Sequence, residues 1–256
     1  MASNPCPSRS AVHRARLVAG SLAVLLAVPL TAGGAQAAPT RAARPSAVPK
    51  AWVACPKGRL DGVAVAVRST TRSVVTVNQT SRSHARVVLW KRQANRSCGF
   101  TKVFTESDAR IGAGGTVVGT RRRQGTNTTP LGTYTMTTSF GLAARPATAL
   151  PYRRVVAGDY WVQDNASRWY NTYRTRAQGG FRTSESENLV TYTTQYRHAV
   201  VINYNMPPTA VRHRGAGIFL HVKGRGATGG CVAVTRAHMG TVMATLSPGD
   251  LIAIGR

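Results

Sequence analysis

The segment GIFLHVKGRGATGGC, residues 217–231, places an imidazole and a thiol ten positions apart, separated mainly by glycine and other small residues. Such a pair is suited to nucleophilic chemistry, because the thiolate is the attacking form of cysteine and a neighbouring imidazole can take the thiol proton. Glycines directly before a cysteine let the backbone turn sharply and aim successive N–H groups at a developing oxyanion. His221 is therefore the candidate base, Cys231 the candidate nucleophile, and the backbone N–H groups of Gly229, Gly230 and Cys231 the candidate oxyanion donors. A lone histidine or cysteine more often serves packing, so the assignment rests on finding both beside a Gly-Gly pair.

Two other chemistries compete for the same glycines. Gly224, Gly226 and Gly229 satisfy the dinucleotide pattern G-x-G-x-x-G, but that fingerprint requires a helix opening at the third glycine and a returning strand with an acid at its end. Here Cys231-Val232-Ala233-Val234 reads as a strand, and only 27 residues follow Gly229. A phosphate-binding P-loop fails as well, since Cys231 stands where Lys or Ser is needed. His213, His221, Cys231 and His238 match no metal-ligand spacing, so neither a metal nor a cofactor is expected.

The elements that must position the pair are mostly strands. Val63, Val65 and Val67 fall on one face at period two, and Val74–Val77 and His84–Trp90 continue the pattern between polar turns. Thr129-Pro130-Leu131-Gly132 reads as a type I turn leading into a strand over Thr133–Met136. The apolar runs Ala199–Tyr204 and Ile218–Val222 have the length of buried strands. One helix is expected, capped by Thr235, with Met239, Val242, Met243 and Leu246 on its apolar face and Ser247-Pro248-Gly249 as its stop. Gly240 inside it costs about 1 kcal/mol relative to Ala, so that helix needs tertiary support. Asp250–Ile254 is a last strand, and the whole reads as a mostly β domain with one short helix after the cysteine.

Residues 1–37 have the three parts of an export signal: Arg9, Arg14 and Arg16, an apolar stretch from Leu17 to Leu30, and the small-residue site Ala35-Gln36-Ala37. The apolar stretch falls short of the roughly 20 residues that span a bilayer, so no permanent membrane anchor is expected. Residues 38–50 read as a linker and 51–256 as one domain. With Cys6 removed, a disulfide between Cys55 and Cys98 is the simplest pairing in an oxidising compartment, leaving Cys231 free. Removing the three signal arginines from a formal charge of +26 leaves +23, which favours an anionic partner. Export points to anionic cell-wall polymers. The dense cluster Arg121-Arg122-Arg123 lacks interleaved aromatics, so nucleic acid is not expected as a partner.

The stretch GIFLHVKGRGATGGCVAV resembles the catalytic motif of the L,D-transpeptidases, the YkuD-type domain, in which an upstream His is the base and a Ser/Thr-x-Gly-Cys segment supplies the nucleophile; Thr228, Gly230 and Cys231 fit that segment. Thr129-Pro130-Leu131-Gly132-Thr133-Tyr134 is similar to the family's Thr-Pro-x-Gly strand start, and GDYWVQDNASRWYN and VINYN resemble segments of exported actinobacterial members. The likeness covers about residues 100–256. It implies a YkuD-like β-sandwich, a Cys thioester intermediate, and transfer between peptidoglycan stem peptides to form 3-3 cross-links, in a secreted or wall-associated protein. By the same resemblance Thr228, Tyr160, Trp161, Tyr170, Asn171, Tyr204 and Asn205 are candidates for the peptide groove, though core roles suit these aromatics equally. Two positions depart from the family: Gly229 stands where His is common before Gly-Cys, and Ala233 where Arg is common after it, with Arg225 or Arg236 as possible replacements. A weakened wall-binding relative of the same fold and an L,D-carboxypeptidase releasing D-Ala to water are the alternative readings.

Overall fold

A computed structural model describes residues 58–94 and 99–256; the signal, the linker, and the expected Cys55–Cys98 disulfide lie outside the described residues. Eight strands carry the architecture: β1 (Ser73–Gln79), β2 (His84–Arg92), β3 (Phe100–Arg110), β4 (Thr129–Gly141), β5 (Ala199–Ile202), β6 (Phe219–Val222), β7 (Val232–Val234) and β8 (Asp250–Gly255). Helix α1 (Arg236–Thr245) lies between β7 and β8. Their spatial order is β5-β6-β7-β3-β2-β1-β8-β4, and β4 pairs back onto β5, so the sheet closes on itself. Within this circuit β6–β7 and β1–β8 are parallel and the other pairs antiparallel. The domain is mostly β and sandwich-type, with a single α-helix among the described residues.

Alternation along the strands explains the layers. Val75 and Val77 of β1, Val87 and Leu89 of β2, Leu220 and Val222 of β6, and Ile252 and Ile254 of β8 meet in the central core. Helix α1 adds Met239, Val242 and Met243, followed by Leu246, all fully buried there, which supplies the support that Gly240 requires. Its N-cap is Thr235, whose Oγ1 accepts the His238 N–H. Strands β5 and β6 are buried on both faces, because Ala199, Val201 and Phe219 point into a second cluster with Phe140, Trp161, Tyr170, Leu189 and Tyr196. The long segment between β4 and β5 builds this cover, including a small three-stranded sheet of Asp159–Trp161, Tyr173–Thr175 and Glu187–Asn188. A third cluster puts Val63, Val65 and Val67 against Val74, Leu251 and Ala253.

The expected turn at Thr129–Gly132 is absent, for these residues begin β4 itself and pair in parallel with Thr116–Val118. β8 joins β4 only from Gly132 onward, so Pro130 occupies an edge position where its missing N–H is tolerated. The alternation at Val63–Val67 places those three side chains inward as expected, but regular pairing stops at Ala64.

One buried carboxylate ties β8 to the start of β1. Asp250 Oδ1 accepts the N–H groups of Arg72 at 2.9 Å and Ser73 at 2.8 Å, and Oδ2 accepts Ser247 N–H at 2.8 Å. Asp250→Ala strands three donors at once and is expected to cost on the order of 3 kcal/mol in a denaturant melt at pH 7. A loss below about 1 kcal/mol would show that water replaces the carboxylate without penalty.

Candidate active site

Strands β6 and β7 lie in parallel register, with Leu220 opposite Val232 and His221 opposite Ala233. Cys231, one residue before β7, therefore stands beside Phe219, whose N–H donates to its Sγ at 3.3 Å. Residues two apart on a strand share a face, so His221 and Cys231 project from neighbouring strands to the same side, diagonally across the ladder. Both line a pocket of about 680 Å³, together with Arg122, Gln163, Glu187, Tyr196, Gly217 and Thr228. The thiol donates to Gly217 O at 3.5 Å. Among the described residues, the partners of Sγ are thus two backbone groups, neither of them His221.

The glycine loop makes this juxtaposition possible. Parallel strands need a crossover, usually of a dozen residues or more, and here Lys223–Cys231 completes it. The loop is pinned midway: Thr228 N–H donates to Ile111 O and Thr228 O accepts Ala113 N–H, each at 3.0 Å. Thr228 Oγ1 accepts Gly230 N–H at 3.1 Å and donates to Cys231 O at 2.6 Å, so its hydroxyl braces the turn that presents the sulfur. The Gly230 N–H is consequently occupied within the loop. Gly230 has φ +131°, and a Cβ there would stand 2.7 Å from Thr128 O and 2.8 Å from Arg122 Nη2. At Gly229 a Cβ would meet only Asn127 Oδ1, at 3.8 Å.

His221 Nδ1 lies 2.8 Å from Val222 O. A carbonyl only accepts, so Nδ1 carries the hydrogen and Nε2 keeps its lone pair. The Tyr196 ring stands edge-on to the imidazole, with centroids 5.6 Å apart. Burial drives the imidazole pKa down to about 4, against a smaller opposing effect of the Val222 carbonyl. Burial also pushes the Cys231 thiol up to about 12, reinforced by the nearby Glu187 carboxylate and opposed by the Phe219 N–H and the Arg122 guanidinium. At neutral pH the pair is a thiol facing a neutral imidazole. A standing thiolate–imidazolium ion pair is thereby disfavoured.

Arg122 was not distinguished by its sequence from its neighbours in a run of three arginines. It is buried beneath the loop, where Nε donates to Thr128 O at 2.6 Å, Nη1 to Arg214 O at 3.2 Å and Nη2 to Gly229 O at 3.4 Å. Arg225 and Arg236 are exposed. The cation under the Gly-Gly-Cys turn therefore comes from residue 122. Only the enclosure of the site in three dimensions distinguishes it; no local pattern marks it. Glu187, Gln163 and Tyr196 were likewise not marked, since they lie on the cover built between β4 and β5.

Of the seven candidate groove residues Thr228 lines the pocket, and the other six fall outside its lining. Asn171 is buried behind it, accepting Trp161 Nε1–H at 2.7 Å and Gly217 N–H at 2.9 Å and donating to Tyr204 O and Asn205 O. It thereby fixes Gly217, whose carbonyl touches the thiol. Tyr170 OH donates to Gln124 Oε1 and accepts Gly215 N–H, each at 3.0 Å. Tyr204 OH donates to Gly119 O at 2.8 Å, Asn205 Nδ2 donates to Gly215 O at 2.9 Å, and Tyr160 packs on Phe181. His238 is bound to Glu106 at 2.8 Å, on α1. Among the described residues no group of His, Cys, Asp and Glu is placed to hold a metal ion.

Residues 74–254 match the model of the L,D-transpeptidase catalytic domain, YkuD, and the chain belongs to that family. Its members are cysteine-dependent L,D-transpeptidases. No curated protein and no solved structure matches the chain significantly.

Two outcomes are expected from this geometry. Gly230→Ala forces a side chain into Thr128 and Arg122 at a positive φ, and should lower thermal stability and Cys231 acylation together, whereas Gly229→Ala leaves both near the parent; the reverse order would mean the turn is built otherwise. Alkylation of Cys231 by iodoacetamide should be far slower at pH 7.5 than that of free cysteine and should rise roughly tenfold per pH unit up to pH 10, as the thiolate fraction does. A plateau below pH 9 would contradict the raised thiol pKa.

Proposed function

We propose that this domain is a peptidoglycan L,D-transpeptidase that forms 3-3 cross-links, exported by residues 1–37 and working at the cell wall. The observation that carries the reading is the placement of Cys231 and of the unprotonated side of His221 on one face of one pocket. In the reaction, Cys231 Sγ bonds to the carbonyl carbon of the meso-diaminopimelate residue of a donor tetrapeptide while His221 Nε2 takes the thiol proton. The tetrahedral oxyanion falls toward the Gly229–Cys231 turn, over the buried Arg122 charge. Cleavage of the peptide bond expels D-Ala, whose amine leaves with the proton from His221, and a thioester remains. An acceptor amine then attacks that carbonyl, His221 takes a proton from the nitrogen, and as the C–S bond breaks His221 returns that proton to Sγ, restoring the thiol and the neutral imidazole.

The family's frequent His and Arg are replaced here by Gly229 and Ala233, and two features support activity without them. His221 is oriented by a backbone carbonyl, and Arg122 brings a cation to the same turn. The net charge of +23 that remains when the three signal arginines are taken from +26 favours retention on anionic wall polymers. Among the described residues no helix is long and apolar enough to cross a membrane.

Intact mass after incubation with a disaccharide tetrapeptide tests the reading. The parent should gain the donor mass minus D-Ala, Cys231→Ser should gain nothing, and His221→Ala should acylate roughly 10²-fold more slowly or worse. His238→Ala and His213→Ala should label like the parent. A parent that stays unmodified while sedimenting with isolated walls would favour a binding role, and release of D-Ala with no cross-linked product in the presence of an acceptor amine would favour a hydrolase.

A further inference from the structure

With 34 Lys and Arg against eight Asp and Glu, an acidic side chain in this protein has an abundance of cationic partners. Five acids take one: Asp61 with Arg86, Glu106 with Lys223 and His238, Asp108 with Lys223 and Arg110, and both Asp164 and Glu185 with Arg182. Asp250 receives three backbone N–H groups, and Asp159 receives Val156 N–H and the Tyr173 hydroxyl; neither of these two lines the pocket. Glu187 also lacks a cation but faces the pocket. Its carboxyl receives two neutral side-chain donors, Gln163 Nε2 at 2.8 Å and the Tyr196 hydroxyl, and no cation among the described residues pairs with it.

Glu187 also lines the pocket that contains Cys231. It is fixed there by pairing with Trp161 in the small sheet, and a Cβ on Gly217 would stand 3.3 Å from its Oε2. Since Gly217 O accepts the thiol hydrogen, one carbonyl-bearing residue separates this carboxyl from the reactive sulfur. A negative charge so placed opposes thiolate formation, and burial with neutral partners disfavours the charge itself, holding Glu187 up at about 7. Both penalties disappear when a cation binds beside it. A carboxylate has about four acceptor sites, of which two are used, so capacity for an ammonium remains.

We propose that Glu187 is a specificity-determining residue that binds a free ammonium group of the donor next to the carbonyl that Cys231 attacks. The proposal rests on the reading of Cys231 as the acyl-accepting nucleophile. It assigns a second task to the same contact: a donor carrying the amine neutralises Glu187 and removes its opposition to the thiolate, whereas an electrophile without a cation meets a protonated thiol. Glu185, two residues earlier, cannot substitute, because Arg182 already engages it.

The test uses two synthetic tetrapeptide donors that differ only in whether the side-chain amine of the third residue is free or acetylated. Acylation of the parent, followed by intact mass, should favour the free amine by roughly 10-fold or more in kcat/KM. Glu187→Gln should erase that preference, mainly through a higher KM for the free-amine donor, while speeding iodoacetamide alkylation of Cys231 at pH 8. Glu187→Asp should retain part of the preference and guards against a folding defect in the first variant. Calorimetric binding of both peptides to Cys231→Ser gives a readout without acylation, with the same preference expected there and lost when Glu187→Gln is added. Equal acylation of the parent by both donors, or a preference that survives Glu187→Gln, overturns the proposal and leaves acyl transfer standing. Failure of both donors to acylate the parent, with the calorimetric preference intact, would instead remove the acyl-transfer reading and keep the ammonium site.

Discussion

The β6–β7 ladder runs parallel, so the chain leaving Val222 must travel back the length of a strand before it can enter Val232. Almost every feature of the site follows from completing that return within Lys223–Cys231. A helix does not fit in so short a crossover, and the connection needs glycines where it turns hardest and external anchors where it would sag. Gly230 provides the first, at a φ closed to other residues without strain. Ile111, Ala113 and Arg122 provide the second, holding the loop from outside. Register then decides the chemistry: a slip of one residue would turn Cys231 to the opposite face from His221.

Burial sets the electrostatic character of the pair. The same enclosure lowers the imidazole pKa and raises that of the thiol, moving the two apart and away from an ion pair. The backbone carbonyl at Val222 selects the tautomer without adding a charge, so orientation is obtained at little electrostatic expense. Among the described residues, Arg122 behind the turn and Glu187 across the pocket are the ionisable side chains that act on the sulfur, with effects of opposite sign.

Strands with one or two apolar faces were legible in the sequence because their periods are short and local. Helix α1 was legible for the same reason, with Thr235 at one end and Pro248 beyond the other. Strand β3, Phe100–Arg110, was not: its side chains are mostly polar and partly exposed, and it is a strand because β2 pairs with it along its length. Pro130 and Gly132 read as a turn because that is their local preference, which edge pairing with Thr116–Val118 overrides. At the site, His221, Thr228 and the Gly-Gly-Cys turn lie within one short stretch and announce themselves together. Arg122, Gln163, Glu187 and Tyr196 arrive from elsewhere in the chain, and nothing in their neighbours marks them as converging. Conversely, Trp161, Tyr170, Asn171 and Tyr204 have the residue types of a peptide groove, but the fold places them in the frame behind it.

Arg122 joins carbonyls from three separate loops, at Thr128, Arg214 and Gly229. The last of these contacts closes a span of 107 residues. Closing so long a loop carries an entropic cost that a single hydrogen bond cannot offset, so the contact forms only after the strands on either side have brought its ends together. The turn that presents Cys231 consequently depends on long-range strand pairing to hold its shape. Until that pairing forms, Cys231 is an ordinary solvent-accessible thiol, open to oxidation. Chemical protection of the sulfur is therefore a product of folding to completion, since burial is what shields it.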